Sequence, residues 1–381
     1  MDFAPSEEQL AAVEAWRRFI ARDLAPRLGA FADRAIAKAE AHALLRLMMR
    51  YGVGNGWVPE ADGGAGLDFL SSGLLFEELS RWSPDLAGLA WVAEGAALKV
   101  QQAGTPAQKA RYLPGLVSGD LIGCSAISEP GVGSDARAVA TRAVRDGDGW
   151  RISGEKLWTS NASVADLVLL LARTSEEELT LFLLDRREHA FEVREIPKLG
   201  LNGWPMGQLV LEDLRVSDDC RLGPVGRGMA ETMKGFERSR CFVSTLALGI
   251  GQAALDAAIG YARDRRQFGK PIGGHQLVQA MLAAMATDLE AARLLVYRAL
   301  WKMAQGERAE IEASMAKSFA TEAVLRITSQ AIQVHGAFGL TREFPLERHF
   351  RNARMLTIPD GTTQINQLII GRRLTGLGAF N

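Results

Sequence analysis

Asp360 lies near the C-terminus in the segment IPDGTTQIN, residues 358–366, between a proline and a glycine. A Pro-Asp-Gly run favours a tight turn, because proline fixes φ at one corner and glycine accepts the positive φ of the next. A carboxylate held in such a turn can also act as a general base, since its ordinary pKa of about 3.9 keeps it ionised at neutral pH. These nine residues alone favour a turn in which Asp360 is only a cap, so a catalytic role must be argued from the rest of the chain.

Other motifs that commonly carry chemistry are absent or in the wrong context. The segment CSAISEPGVGSDA contains Gly131, Gly133 and Ala136 at the spacing of a dinucleotide-binding fingerprint, but Pro130 precedes it and strand and turn residues follow it. That fingerprint requires a strand before it and a helix after it, so the match is formal only. No Gly-Lys-Ser/Thr and no G-x-S-x-G motif occurs. The five histidines lack the spacing of metal ligands, which predicts no metal site.

Composition favours a small-molecule enzyme or binding protein. The 381 residues include 44 basic and 45 acidic side chains, and the formal net charge of −1 gives no field that would recruit nucleic acid or an anionic membrane. Three cysteines without a C-x-x-C pair suit a reducing compartment. The start, MDFAPSEEQL, has no basic and apolar leader, and no uninterrupted apolar run has the length of a membrane span, so we expect a cytoplasmic protein.

The chain divides into three regions by the period of its apolar residues. The first 120 residues or so are predicted to be helical, with a capping box at Ser6 and Gln9 and a glycine-rich break at PEADGGAGLD. Between Gly123 and Cys220 the pattern predicts a compact antiparallel sheet from five runs: GWRISGEKLWTS, DLVLLLARTS, LTLFLLDRR, FEVREIP and QLVLEDLRV. Long helices are predicted over 238–264, 275–305 and 310–335, which suits an up-down bundle.

Five further motifs occur in a fixed order: ISEPGVGSD, GEKLWTSNASVAD, YARDRRQFGKPI, AIQVHGAFGLTREFPLERHFRNAR and IPDGTTQI. In this order, and with helical, sheet and helical regions around them, they resemble the acyl-CoA dehydrogenase family. The resemblance covers essentially the whole chain, including PEADGGAGLD. Five ordered motifs are far more specific than any one of them.

The resemblance implies an α+β fold with an N-terminal α-helical domain (1–121), a middle β-barrel-like domain (122–228) and a C-terminal four-helix bundle (229–381). It implies a homotetramer or a homodimer. It also implies that FAD lies between the middle domain and the bundle, with its adenosine end reaching a neighbouring subunit.

Site residues are implied in the same way. The positions that match FAD contacts are Ile127, Ser128, Trp158, Ser160, Arg265, Gln267, Phe268, Gln333, Gly336, Thr362 and Gln364. Ser134 matches a residue near the substrate thioester, and Arg240 matches one close to the acyl channel. Hydroxyls and backbone amides can stabilise the negative charge of a reduced flavin, and arginine suits a pyrophosphate.

The opening segment matches the family's catalytic segment, where a glutamate before Gly-Thr removes the α-proton of an acyl thioester while the β-hydrogen leaves as hydride to flavin N5. Asp360 stands in its place, with a similar acidity but a side chain shorter by roughly 1.5 Å. A misplacement of about 1 Å can cost on the order of a hundredfold in rate. Some family members place the base just before the arginine that Arg240 matches, but that residue is Ser239 here. Asp360 is therefore the best candidate for the base, and Pro359 and Ala337 are two further departures near it.

The resemblance implies an FAD-dependent α,β-dehydrogenation of an acyl thioester, carried on coenzyme A or on an acyl-carrier protein, with an electron-transfer flavoprotein as the acceptor. A second reading is a flavoenzyme like the nitroalkane oxidases, which belong to the same superfamily and use an aspartate as the base. A third is a non-catalytic flavin-binding homologue whose base has decayed.

Overall fold

The N-terminal region is helical, as predicted. The computed structural model describes residues 5–379. Its first six helices are α1 (Glu7–Phe19), α2 (Ala25–Leu28), α3 (Lys38–Met48), α4 (Phe69–Trp82), α5 (Pro84–Ala103) and α6 (Pro106–Ser118). The predicted capping box is confirmed, because the Ser6 hydroxyl accepts from the Gln9 amide while the Gln9 side chain accepts from the Ser6 amide. The segment PEADGGAGLD interrupts the helices with a single 3-10 turn at Glu60–Asp62.

The middle region is an eight-stranded sheet whose order is β6-β7-β3-β2-β4-β5-β8, with β1 paired to β4. Its strands are β1 (Gly123–Ala126), β2 (Arg142–Asp146), β3 (Gly149–Ser160), β4 (Leu167–Arg173), β5 (Leu179–Asp185), β6 (Glu192–Glu195), β7 (Met206–Ser217) and β8 (Arg221–Leu222). The five predicted runs correspond to β3, β4, β5, β6 and β7. The sheet is not wholly antiparallel, since β1 and β2 each pair with β4 in parallel. The long β2–β3 hairpin separates β1 from β4 and supplies the crossover that a parallel pair needs.

The C-terminal region consists of long helices around a buried core. They are α7 (Gly228–Asp264), α8 (Gln276–Ala304), α9 (Glu310–His335), α10 (Leu346–Leu356) and α11 (Thr363–Thr375), with a short hairpin of β9 (Arg266–Gln267) and β10 (Lys270–Pro271) after α7. Helix α7 begins at Gly228, before the predicted start near residue 238. A Cβ on Gly228 would lie 2.7 Å from the backbone oxygen of Leu179, so the glycine lets the first turn pack directly on β5.

Helix α7 is the central helix of the bundle. Within the described residues it is long and apolar enough by length and composition to cross a membrane, but 72% of its most apolar window is buried inside the protein. A core helix of a globular protein meets the same criteria. The same helix carries Ser239 and Arg240 about one third of the way along it and has Arg265 just beyond its end, so it connects two parts of the site predicted from the sequence.

Two glycines of α7 provide a test of how closely it packs on α4. A Cβ at Gly249 would lie 2.6 Å from the backbone nitrogen of Arg81 and 2.6 Å from the backbone oxygen of Glu77, whereas nothing lies within 4 Å of a Cβ at Gly260. We expect Gly249→Ala to lower the free energy of unfolding by about 1–3 kcal/mol or more, because backbone atoms cannot move aside as a side chain can. Gly260→Ala is the matched control and should raise stability by about 0.5–1 kcal/mol through helix propensity. Denaturant titrations of both variants test this, and equal effects would contradict it.

Candidate active site

Asp360 lies in the turn between α10 and α11. Its φ is +55° and that of Gly361 is +93°, so both residues adopt left-handed conformations. The sequence predicted a positive φ for the glycine alone. Thr362 caps α11 by accepting a hydrogen bond from the amide of Ile365 at 3.2 Å. The Asp360 side chain is half-buried, so a substrate can reach the carboxyl group while water is partly excluded.

Lys317, which no sequence motif indicated, stabilises this turn by hydrogen bonds from its side chain. Its side chain is fully buried, and Nζ donates to the backbone oxygens of Thr357 at 2.8 Å and Gly361 at 2.7 Å. The two carbonyls bracket Asp360 in the chain, so Lys317 fixes the turn on both sides of the carboxylate. One sequence signal could have identified it: a lysine lies among small residues on the buried face of α9, between Ala313 and Ala320.

Burial and the neighbouring charges have opposite effects on the pKa of Asp360. Burial is the largest effect and raises the pKa of Asp360, while the Ser239 hydroxyl and then the charges of Lys317, Arg240 and Lys99 lower it. The buried Ser239 Oγ lies beside this carboxyl group and has no other hydrogen-bond partner within residues 5–379. The balance leaves a carboxyl group that is a stronger base than an exposed aspartate.

Glu237, two residues before Ser239 on α7, points away from this group. Its carboxylate accepts a hydrogen bond from the amide of Ala309 and lies 3.6 Å from the guanidinium of Arg308. Both partners are at the start of α9. Position 239 carries a hydroxyl group and Glu237 is directed toward the start of α9. Asp360 is therefore the best candidate for the catalytic base.

The structure brings Ile127, Ser128, Trp158 and Ser160 together at one edge of the sheet. The amide of Leu157 donates to the backbone oxygen of Ser128 at 2.9 Å, which ties the segment after β1 to β3. The ladder between β3 and β7 shifts register between Lys156 and Thr159, and Trp158 there has a φ of +61° and a side chain that is 52% exposed. The register shift turns the indole out of the sheet.

A buried ion pair supports this edge. Lys156 Nζ donates to Glu129 Oε1 at 2.8 Å and to the backbone oxygen of Ile127 at 3.0 Å, while Glu129 accepts from the amides of Ala140 and Thr141. Burial lowers the pKa of Lys156 to about 8, against the opposing effect of Glu129. Both residues lie inside the motifs ISEPGVGSD and GEKLWTSN, but the sequence did not indicate that they pair.

A second cluster lies far from Asp360. Arg265 follows α7, Gln267 and Phe268 are in the β9–β10 hairpin, and Gln333 and Gly336 are at the end of α9. The Arg265 guanidinium lies 5.9 Å from the Phe338 ring centre, which joins the end of α7 to the segment after α9. The 25 residues from Arg240 to Arg265 span roughly 37 Å of helix. The predicted flavin contacts therefore form two separate groups in one chain.

Backbone strain concentrates at the predicted site. Among residues 5–379, six residues other than glycine have a positive φ: Trp158, Asn161, Leu201, Asp213, Phe268 and Asp360. Three of these, namely Trp158, Phe268 and Asp360, are site residues predicted from the sequence. Such conformations cost on the order of 1–3 kcal/mol each and persist where the surrounding structure requires them. Asn161 supports the same edge, because its side chain donates to the Leu89 oxygen and accepts from the Trp204 indole.

The residues at the sheet edge fit a flavin. The exposed indole of Trp158 offers an aromatic face, and the adjacent Thr159 Oγ1 is buried without a hydrogen-bond partner in the described chain. Nothing lies within 4 Å of a Cβ built at Gly131 or Gly133, so the loop that carries the exposed Ser134 borders open space. Within residues 5–379, no group of three or more His, Cys, Asp or Glu could hold a metal ion.

Shared core packing places this edge beside the start of α7. Ile127 and Met229 both pack against one buried cluster, which includes Val100 near the end of α5. Thr362 and the exposed Gln364 lie at the first turn of α11, next to Asp360. Charges of Lys99 on α5 and Arg240 on α7 act on Asp360, so the sheet edge, the end of α5, the first turns of α7 and the Asp360 turn lie around one region.

The chain matches known protein families along nearly its whole length. The acyl-CoA dehydrogenase N-terminal, middle and C-terminal domain models match residues 6–120, 124–214 and 226–375. The chain is 36% identical to the benzylmalonyl-CoA dehydrogenase of Aromatoleum aromaticum over 98% of this chain and 100% of that one. It is 35% identical to a subunit of the caffeyl-CoA reductase–Etf complex of Acetobacterium woodii over 87% of this chain and 89% of that protein.

A solved structure agrees over nearly the full length. A glutaryl-CoA dehydrogenase from Mycobacterium smegmatis in complex with FADH2 superimposes with a TM-score of 0.91 at 28% identity, covering 99% of this chain and 97% of that one. The three domain models together extend from residue 6 to residue 375. This chain belongs to the acyl-CoA dehydrogenase family, the FAD-dependent oxidoreductases that act on a CH–CH bond.

Proposed function

We propose that this protein catalyses the α,β-dehydrogenation of an acyl thioester with Asp360 as the base that removes the α-proton. The observation that carries the proposal is the half-buried carboxyl of Asp360, held in a left-handed turn and surrounded by Lys317 and Arg240. Burial raises its pKa, and a general base is most effective when its pKa is closer to the working pH.

The left-handed turn offers a physical reason why aspartate can replace the family's glutamate. A positive φ changes the direction in which the Cα–Cβ bond leaves the backbone, and the buried Lys317 fixes the carbonyls on both sides of the residue. A short side chain in a fixed direction can hold its carboxylate where a longer one would need more freedom. We assign to Ser239 and Arg240, on α7, hydrogen bonds to the thioester oxygen as negative charge develops on it, because each has a buried polar atom that the described chain leaves available.

We propose that Ile127, Ser128, Trp158, Ser160, Thr362 and Gln364 would hold the flavin ring of FAD, and that Ser134 would lie near the thioester. Bound there, FAD supplies the acceptor for the two electrons of the β-hydride. Gln333, Gly336, Arg265, Gln267 and Phe268 are assigned to the adenosine end of the FAD of another subunit. We also propose domain boundaries at 121/122 and 228/229, a homotetramer and a cytoplasmic location. We propose an electron-transfer flavoprotein as the electron acceptor, because one relative is named as part of an Etf complex.

The assembly makes a prediction about Arg265. This residue and Phe268 are exposed in the single chain, Phe268 by 94%, and lie roughly 37 Å along α7 from the catalytic end. We expect Arg265→Ala to weaken FAD retention and oligomer stability together, because the adenosine site would be built across the interface. Flavin content after gel filtration and the mass in solution by light scattering measure both. A monomer that retains FAD at full occupancy would contradict the assignment. Arg263→Ala, in the exposed last turn of α7, is the control.

The function is tested by anaerobic mixing of the FAD-loaded protein with acyl-CoAs, acyl-carrier proteins and nitroalkanes while flavin absorbance is recorded. Bleaching by an acyl thioester, with the enoyl product identified by mass spectrometry, is the expected result and also distinguishes the two carriers. Bleaching by nitroalkanes alone would establish the second reading. No bleaching by any of the three would favour a non-catalytic flavoprotein.

A further inference from the structure

Three cationic side chains, Lys317, Arg240 and Lys99, act on the Asp360 carboxyl group, and a fourth, Arg238, lies beside Lys99. From their arrangement we propose that the acyl group of the substrate carries a second carboxylate, and that Lys99 and Arg238 bind it. The inference rests on the proposed function, because it concerns the acyl group whose α-carbon Asp360 would deprotonate. It adds a substrate class, the dicarboxylic acyl thioesters, and two residues that select it.

Two of the four cations are already committed to the turn and the thioester. Lys317 donates to the carbonyls on both sides of Asp360. Arg240, on α7, is 5% exposed and lies near Asp360. Its Nε has no hydrogen-bond partner in the described part of the chain. These two account for the positive charge needed to offset the carboxylate of Asp360.

Lys99 and Arg238 add positive charge beyond the amount that offsets the Asp360 carboxylate. Lys99 lies near the end of α5, and its Cε is 3.5 Å from the position of a Cβ at Gly235 of α7. Arg238 is one helical turn beyond Gly235 and therefore on the same face of α7. Both side chains are half-buried, and neither makes an ion pair or hydrogen bond within residues 5–379. Burial and the nearby Arg238 charge lower the pKa of Lys99 to about 8, which agrees with two cations that share one space.

The acidic residues nearest to this pair are committed elsewhere. Glu231 is paired with Lys234 at 2.8 Å, and Glu237 is bound to the start of α9 through Arg308. Asp360 is the remaining carboxylate, and it loses its charge when it accepts the α-proton. The charges of Glu231 and Glu237 reach Lys99 and Arg238, but neither carboxylate makes an ion pair with them within residues 5–379. Half-buried like charges without a direct partner are unfavourable, so an anion supplied by the substrate would relieve them.

The geometry points to the acyl group as the source of this anion, rather than to the phosphates of the carrier. Lys99 is close enough to Asp360 for their charges to interact. The pantetheine arm places the nearest phosphate roughly 15 Å from the thioester sulfur when extended, at about 3.5 Å per three backbone bonds. A carboxylate a few carbons along the acyl chain is within reach of Lys99 and Arg238, whereas a phosphate at that distance is not.

The test compares matched pairs of CoA thioesters that differ only in a terminal carboxylate: succinyl with butyryl, glutaryl with pentanoyl, and adipyl with hexanoyl. Both members of a pair carry the same CoA, so any contribution of its phosphates cancels. We expect at least one dicarboxylic member to be preferred by at least about 30-fold in the rate constant for flavin reduction divided by Kd. Lys99→Met should abolish that preference by weakening the dicarboxylic substrate alone. Lys109→Met, on α6 and without an ion-pair partner in the described chain, is the matched control and should leave the preference intact.

A second readout does not depend on turnover. Thioether analogues of CoA with carboxyalkyl or alkyl chains cannot react, and their Kd values by isothermal titration calorimetry should show the same preference and the same loss in Lys99→Met. An equal or stronger response to the uncharged chains in the wild-type protein would overturn the inference, as would a preference that survives in both Lys99→Met and Arg238→Gln. If no thioester reduces the flavin, the proposed function fails, and the thioether titration still decides whether this site binds a carboxylate.

Discussion

Asp360→Asn is expected to retain FAD and fold normally but to lose reduction of the flavin by substrate, by a factor of about 10²–10⁴ or more. The amide keeps the size of the carboxylate, and asparagine tolerates the left-handed conformation found here, with φ at +55°. What it loses is the ability to accept the α-proton. Stopped-flow absorbance under anaerobic conditions measures the rate, and thermal unfolding with flavin content verifies that the site is otherwise intact.

Asp213→Asn is the matched control for this experiment. Asp213 also has a positive φ, at +49°, but its exposed side chain pairs with Arg151 at the surface of the sheet. It should leave the rate unchanged. A rate in Asp360→Asn close to that of the wild-type protein would remove Asp360 from the mechanism and leave only its role in the turn.

The pH dependence follows from the direction of the Asp360 pKa. The base acts as the carboxylate, so the rate of flavin reduction should rise with pH through the pKa of Asp360 and reach a plateau above it. Burial raises that pKa above the range of an exposed aspartate, so the acid limb should lie at a higher pH than about 3.9. Adding positive charge weakens a base and removing it strengthens one, so Lys317→Met should move the limb to higher pH. A limb unmoved by Lys317→Met would contradict the proposed coupling.

Lys156→Met is expected to lower the free energy of unfolding by about 3–5 kcal/mol, because it leaves the buried carboxylate of Glu129 without its charge partner. The same change removes the hydrogen bond to the Ile127 oxygen, so the edge that carries Trp158 should loosen and FAD should dissociate more readily. Chemical denaturation measures the first effect, and flavin release monitored by fluorescence measures the second.

Two variants separate the buried pair from a general loss of charge. Arg151→Ala breaks exposed pairs with Asp146 and Asp213 on the same sheet and should change stability little. Lys156→Met combined with Glu129→Gln should recover part of the loss, since no buried charge then remains unpaired. A Lys156→Met variant as stable as Arg151→Ala would show that the ion pair is not a structural support.

Local patterns in the sequence were enough to predict the three regions of this fold. Short runs of β-branched or alternating apolar residues between turn segments predicted β3 to β7. The capping box at Ser6 set the start of α1 through contacts between residues three apart. The ordered motifs predicted the family and its FAD, which the domain models and the full-length relatives confirmed. Each of these signals depends on neighbours in the chain or on motif order, so no three-dimensional contact was needed.

The tertiary structure decided what surrounds each of those residues. Lys317 lies more than forty residues before Gly361 and Lys99 lies on a different helix from Arg238, so no sequence spacing could predict that they meet around one carboxylate. The left-handed φ of Asp360 and Trp158 likewise arises from contacts at a buried lysine and a register shift rather than from local preference, which favours glycine at such positions. Burial and long-range charge depend on packing between distant segments, and they set the pKa of the base and the charge that a substrate meets in the pocket.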